Sequence, residues 1–209
     1  MREQTLLDAW ETALAAPPGW RPAALAGALE DLPWPELASW TASRVNGRLL
    51  DLHAAIFGPT LEGVTRCPAC ATAVELALPV AALQAVEALP PPTGHPVPTL
   101  GRLWQALAAA SDADARRLLL GDGDDDIEAA WAAADPLAVT ELALTCPACG
   151  HRWQEEADLG PFVWRQVDGW AEGLLDDVAH LARAYGWRES DVLALPPSRR
   201  RRYLERAWA

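Results

Sequence analysis

The chain has 209 residues, 51% of them hydrophobic, which is ample material for one compact domain or two small ones and excludes global disorder. All 17 basic residues are arginine, set against 29 acidic residues, and the formal charge of −12 disfavours general binding to nucleic acid or anionic membranes, leaving only a local basic patch to consider. The first segment carries Glu3, Asp8 and Glu11 instead of a basic start, and no window reaches transmembrane length, so the expected location is the cytoplasm.

Leu6, Leu7, Trp10 and Leu14 stand at helical spacing before Pro17-Pro18-Gly19 stops the pattern. After the stretch Leu32-Pro33-Trp34-Pro35, the residues Val45, Leu49, Leu52 and Ile56 recur every three or four positions. Ser43 is the expected N-cap of that helix and Gly58-Pro59 its stop. Cys67-Pro68-Ala69-Cys70 follows, and the alternation of Val74, Leu76 and Leu78 predicts a half-buried strand leaving the turn and ending at Pro79. Five prolines between Pro90 and Pro98 exclude helix and central sheet and indicate a semi-rigid connector.

Two or three short helices are expected from Leu100 to Ala134, the last starting near Asp124-Asp125-Asp126, where carboxylates favour the positive end of the helix dipole. Asp122, Asp124 and Asp126 have the spacing of the start of a calcium loop. Ile127 stands where such a loop needs Gly, and Ala133 where it needs a bidentate Glu, so helix start or solvated loop is the reading. Val139, Glu141, Leu142 and Leu144 then lead into Cys146-Pro147-Ala148-Cys149-Gly150, and His151, Trp153 and Glu155 lead out, giving strand, knuckle, strand. From Phe162 the residues Val163, Val167, Trp170, Leu174, Val178, Leu181 and Tyr185 keep a helical period, with Gly186 placed as a left-handed C-terminal residue. A turn and two short helices complete the chain. Eleven tryptophans beside two phenylalanines assign much of the aromatic packing to indole rings, without saying which are exposed.

Each Cys-x-x-Cys places two thiolates on one tight turn, able to meet a tetrahedral ion at about 2.3 Å, and two such turns complete a four-sulfur shell. Cys67, Cys70, Cys146 and Cys149 are therefore the expected ligands of one structural zinc, with no open position for substrate. The 75 residues between the pairs cost roughly 4 kcal/mol plus a constant to close, which structural zinc can offset. Two redox pairs or unpaired thiols are the other readings; neither pair has a thioredoxin-like βαβ context, and the repeated Cys-Pro-Ala-Cys points to a shared role.

His151 could replace a cysteine, although four sulfurs make a packed or solvent-facing ring the expectation. Gly150 suits a turn with positive φ, whereas Ala71 in the matching place predicts a strained or differently shaped first turn. The His-x-Glu of zinc deaminases is missing. The histidines at 53, 95, 151 and 180 show no metalloprotease pairing, and there is no phosphate loop or nucleophile elbow.

The fold class expected is α+β, mainly α-helical. Helices pack around a small zinc-ribbon element formed by 67–80 and 138–158, with a helical insertion over 81–137. The three regions expected are 1–66, 67–160 and 161–209. Near the end, Arg199, Arg200, Arg201 and Arg202 form a dense positive cluster on a predicted helix. They are either a solvated face or, with Tyr203, a docking surface for an acidic partner.

Three ordered pieces carry a family resemblance. They are Arg48-Leu49-Leu50 with Ile56-Phe57-Gly58-Pro59 and the first knuckle; the second knuckle with Gly150 and Trp153; and Ala184-Tyr185-Gly186-Trp187, Leu193-Ala194-Leu195, Arg199 and Arg202-Tyr203-Leu204. Together they resemble a family found in phages with contractile tails and in related contractile injection systems, where a zinc-ribbon protein is linked to baseplate assembly. The sequence departs from that family at Asn46-Gly47, where Gly-Asp or Gly-Arg is usual, and at Arg188, where a capping Ser is common. The resemblance implies a non-enzymatic assembly chaperone, adaptor or minor baseplate component with baseplate, hub or spike proteins as partners. A zinc-ribbon module for nucleic acid or transcription is the alternative.

Overall fold

A computed structural model of the chain describes residues 3–121 and 125–207, and shows a mainly helical α+β protein with two small antiparallel sheets. None of its described helices is long and apolar enough to cross a membrane. Contacts divide the chain into two compact units, Glu30–Val163 and Met1–Leu29 with Trp164–Ala209, which differ from the expected breaks at residues 66 and 160.

In the discontinuous unit, α1 (Glu3–Leu14) buries Leu6, Leu7, Ala9, Trp10 and Ala13, and a single 3-10 turn at Pro18–Trp20 leads into α2 (Arg21–Leu29). The second helix gives little signal in the sequence because its buried residues are mostly small, Pro22, Ala23, Ala26 and Gly27, with Leu25 the one large apolar side chain among them at 0% exposure.

In Glu30–Val163, the short α3 (Trp34–Leu37) precedes α4 (Ala42–Ile56), which buries Val45, Leu49, Leu50, Leu52 and His53. The N-cap is Thr41, not Ser43: Arg44 N–H donates to Thr41 Oγ1 at 3.4 Å. Ser43 Oγ instead accepts from Leu137 N–H at 2.8 Å, and Asn46 donates to the Leu137 carbonyl at 2.6 Å. The buried carboxylate of Asp135 accepts from the Thr41 hydroxyl at 2.7 Å and lies 3.3 Å from Ser43 N, so the first turn of α4 holds the far end of the insertion.

The first hairpin pairs β1 (Thr60–Arg66) with β2 (Ala73–Pro79), and the second pairs β3 (Thr140–Thr145) with β4 (Arg152–Ala157). Strand β1 was not expected: Leu61 is its one buried residue and Val64 is 67% exposed, so its apolar alternation is weak. Between the hairpins lie α5 (Val80–Gln84), the irregular proline segment, α6 (Leu100–Leu107), α7 (Asp112–Leu120) and α8 (Asp125–Ala134). Asp122 and Asp124 of the calcium-like spacing lie outside the described residues.

A core of Leu50, Leu61, Val80, Leu83 and Leu159, with Leu78, Ala157 and Phe162 against it, gathers α4, α5, the start of α9 (Leu159–Tyr185) and the ends of both hairpins remote from the knuckles. Each fully buried side chain of this kind contributes about 1.5–3 kcal/mol.

In the discontinuous unit, α9 buries Trp164, Val167, Ala171, Leu174 and Leu181 and ends at Gly186, whose φ of +70° provides the expected left-handed residue. In α10 (Glu189–Leu193), Asp191 accepts the N–H of the N-cap residue Arg188 at 3.1 Å, the reciprocal half of a capping box. Trp187 and Tyr203 close on Tyr185 with centroid distances of 4.9 and 5.8 Å, which docks α11 (Pro197–Ala207).

Tryptophan is divided between roles. Trp10, Trp40, Trp131 and Trp164 are buried, and Trp10 and Trp131 donate to Asp168 Oδ1 and the His95 carbonyl. Trp34 and Trp104 are exposed.

The arginine cluster of α11 is also divided. Arg199, Arg201 and Arg202 are exposed and Tyr203 is half-buried, but Arg200 is buried and unavailable to a partner. Its guanidinium binds both carboxylate oxygens of Glu3, at 2.6 and 3.0 Å, and Asp177 at 3.1 Å. The buried pair should be unequal to its neighbours in stability. Arg200→Met strands two partly solvated carboxylates and is expected to cost about 1–3 kcal/mol in urea unfolding. Arg201→Gln and Arg202→Gln should stay within about 0.5 kcal/mol of the parent. Equal effects at all three positions would show that the pair adds nothing.

Candidate metal centre

The two hairpins have one construction. The last paired residues are Arg66 with Ala73 and Thr145 with Arg152, so each hairpin is closed by a loop of the form Cys-Pro-Ala-Cys-x-x. Cys67 N–H donates to the Thr72 carbonyl at 3.0 Å and Ala71 N–H to the Cys67 carbonyl at 2.8 Å. In the second loop the matching bonds run from Cys146 to His151 at 2.9 Å and from Gly150 to Cys146 at 3.0 Å. Proline at the second position has no N–H to satisfy and a pre-set φ, which suits it to so tight a turn.

This shared geometry answers the question raised by Ala71. Its φ is +59°, beside +73° for Gly150, so the first turn has the same shape as the second and carries the strain of a Cβ in the left-handed region.

The loops bring their sulfurs together. Cys67 Sγ lies 3.7 Å from Cys149 Sγ and Cys70 Sγ lies 3.6 Å from Cys146 Sγ, and all four lie within 4.8 Å of one another. A tetrahedral ion with metal–sulfur bonds of about 2.3 Å requires sulfurs about 3.8 Å apart, so the donor set fits a four-coordinate metal. The first cysteine of each pair is buried and the second exposed, giving the site a closed side and a solvent side.

On the solvent side, the backbone amides of Thr72 and His151 point at Cys70 and Cys149. The Thr72 side chain, 3.3 Å from Cys70 Sγ, and then its amide lower the Cys70 pKa to about 6. Cys149 is pushed up to about 12: the His151 amide favours its thiolate, but sharing with Cys70, burial, and the other two sulfurs outweigh that. Sulfurs this close do not ionise independently, and a dication bound among them would favour their thiolate forms.

All four cysteines expected as ligands come together, and they are the only such cluster of ligating side chains among the described residues. His151 is not part of it; its ring is exposed and stacks on Trp153 at 6.1 Å. His53 is buried with Nδ1 unpaired, and burial lowers its pKa, so it remains a neutral core residue. The sequence reading missed the amides of Thr72 and His151, though both stand two residues after a second cysteine. A tetrahedral ion held by all four sulfurs would have no vacant position for water or substrate and would crosslink the two hairpins.

The matched turns allow a paired test. Ala71→Gly should stabilise the metal-loaded protein by about 0.5–1 kcal/mol, while Gly150→Ala should destabilise it by a similar amount. A Cβ at Gly150 would meet nothing within 4 Å, so the cost is conformational alone. Chemical denaturation reads both, and a neutral Ala71→Gly would mean that the first turn is unstrained.

Comparison of the chain with protein-family models, curated proteins and solved structures finds no match, so the functional reading stands on the site and the sequence alone.

Proposed function

We propose that the four cysteines hold one structural zinc ion, and that the protein is a non-enzymatic assembly chaperone, adaptor or minor component of the baseplate of a contractile injection system or phage tail. The observation that carries the reading is the convergence of two knuckles, separated by 75 residues, on one four-sulfur site. Zinc is the metal favoured by an all-thiolate tetrahedral set in a structural role. The protein class is supported by the order of the motifs shared with that family, which fall in unrelated local structures. Ile56-Phe57-Gly58-Pro59 ends α4, the cysteines form the knuckles, and Tyr185-Gly186-Trp187 with Tyr203 forms an aromatic cluster.

The alternative, a nucleic-acid module, would have to use Arg199, Arg201 and Arg202 without Arg200. Salt-dependent binding of DNA or RNA at low micromolar concentration, lost when those three become Glu, would favour it over the first reading.

Elemental analysis of protein purified under reducing conditions should give one zinc per chain, and Cys67→Ser or Cys146→Ser should abolish it. Chelation should lower the melting temperature, because structural zinc binding contributes on the order of 10 kcal/mol in small peptides. Zinc-free protein with a fold indifferent to chelator would remove the metal from the proposal. For the cellular role, tagged protein recovered from its own host should bring down tail, spike or baseplate proteins. Reproducible recovery without any of them would remove the assembly role.

A further inference from the structure

Half the arginines of the discontinuous unit stand on its last helix. Met1–Leu29 with Trp164–Ala209 holds ten arginines and ten acidic residues, and α11 carries Arg199, Arg200, Arg201, Arg202 and Arg206 beside a single carboxylate, Glu205. Arg200 is turned inward to Glu3 and Asp177 and fixes the helix in place, while the other four are exposed. Among the described residues, none of Arg199, Arg201 and Arg202 makes an ion pair, whereas Arg48, Arg116, Arg117 and Arg200 all do.

Helical periodicity sorts the exposed four. At 3.6 residues per turn, Arg199, Arg202 and Arg206 fall within about 60° of one another and span about 10 Å along the axis. Arg206 donates to the Arg202 carbonyl at 2.7 Å, which holds it along this stripe. Tyr203 stands four residues after Arg199 and three before Arg206, so it borders the stripe. Its ring meets Trp187 edge-on at 4.8 Å, and Tyr185, 38% exposed, donates its hydroxyl to the Tyr203 carbonyl at 3.3 Å. An aromatic border fixed before binding loses little entropy when a partner covers it. Arg201 is on another side of the helix, where it lines a cleft with Asp177, His180, Leu204 and Glu205 and so already has carboxylates near it.

Chemistry selects the occupant. Guanidinium groups bind carboxylates through paired N–H donors, and arginine beside tyrosine and tryptophan is the composition of a protein interface. A nucleic acid is drawn by a broad positive field, but this unit has no net charge and the chain carries −12, so attraction is confined to the stripe. Its length suits two or three carboxylates at helical spacing.

We infer that Arg199, Arg202, Arg206 and Tyr203 form the docking surface for an acidic helical segment of another protein, its carboxylates on the guanidinium stripe and an apolar side chain against the tyrosines. Two of the four consecutive arginines belong to this surface, and Arg206 joins them. The inference rests on the adaptor reading, in that it supplies the contact by which an adaptor would hold its client.

The test uses the full-length protein purified under reducing conditions and a dye-labelled peptide of about 14 residues with Glu on one helical stripe and Leu beside it, followed by fluorescence anisotropy at physiological salt. Controls are a peptide of the same composition with Glu spread around the helix, a peptide with Lys for each Glu, and a DNA strand of similar length. The striped peptide should bind at least about tenfold more tightly than any control. Arg199→Glu and Arg202→Glu should each weaken it about tenfold or more, while Arg201→Glu stays within about threefold. All three variants change the net charge equally, so their difference reads position instead of charge. These side chains are exposed, so the melting temperature should not move and a loss of binding is not a loss of fold.

Equal weakening by all three variants, undiminished binding by Arg202→Glu, or equal binding of the peptide with dispersed Glu would overturn the inference. Tighter binding of the DNA strand would do the same, as would a dimer in sedimentation that Arg202→Glu dissolves, since the occupant would then be nucleic acid or a second copy. Failure of the peptide test while tail proteins still co-purify removes this surface alone; specific peptide binding without tail proteins removes only the assignment to a contractile apparatus.

Discussion

The structure of Glu30–Val163 depends on two distant turns presenting their sulfurs to one point. A two-stranded hairpin is at best marginally stable alone, and this unit contains two of them, neither extended by a third strand. Each is fixed at both ends. Leu61 and Leu78 of the first hairpin and Ala157 of the second lie in or against the shared apolar core, while the opposite ends carry the cysteines. The division is chemically sensible: the remote ends have apolar side chains to bury, and the knuckle ends have mostly small or polar ones, where a metal held by the four sulfurs would supply the cohesion that a core cannot.

In the discontinuous unit, arginine does two different jobs on one short helix. Arg200 is turned inward and joins α11 to Glu3 of α1 and Asp177 of α9, whereas Arg199, Arg201 and Arg202 remain in solvent. Four consecutive side chains on a helix point around its circumference, so a run of like residues rarely shares one environment. The surplus negative charge lies in the other unit, which holds 19 acidic residues and 7 arginines.

Much of this is legible in the sequence. The four-cysteine cluster can be read because spacing fixes its chemistry: two residues between cysteines define a turn, and two such turns can define a shell. The long helix closed by Gly186, the proline connector and the short helices from Leu100 to Ala134, expected as two or three and found as three, follow from period and punctuation, whereas α5 gave no such signal. What escaped depends on partners distant in sequence. Ser43 has the chemistry of a cap, but Leu137 takes its hydroxyl and Thr41 caps instead. Strand β1 exists because β2 pairs with it, and α2 buries mostly small residues, which gives little amphipathic contrast. Ala71 could be suspected of strain from its sequence position, and the register shared with Gly150 accounts for it.

The long segment between the hairpins starts and finishes at elements that are secured by other means. With its ends held by the hairpins and by the bonds of Asp135 and Leu137 to Thr41 and Asn46 at the start of α4, its length is a weak thermodynamic variable: doubling a flexible loop adds only about 0.6 kcal/mol. The cassette from Ala85 to Ala134 is therefore free to lengthen, shorten or be exchanged while the core and hairpins around it stay the same.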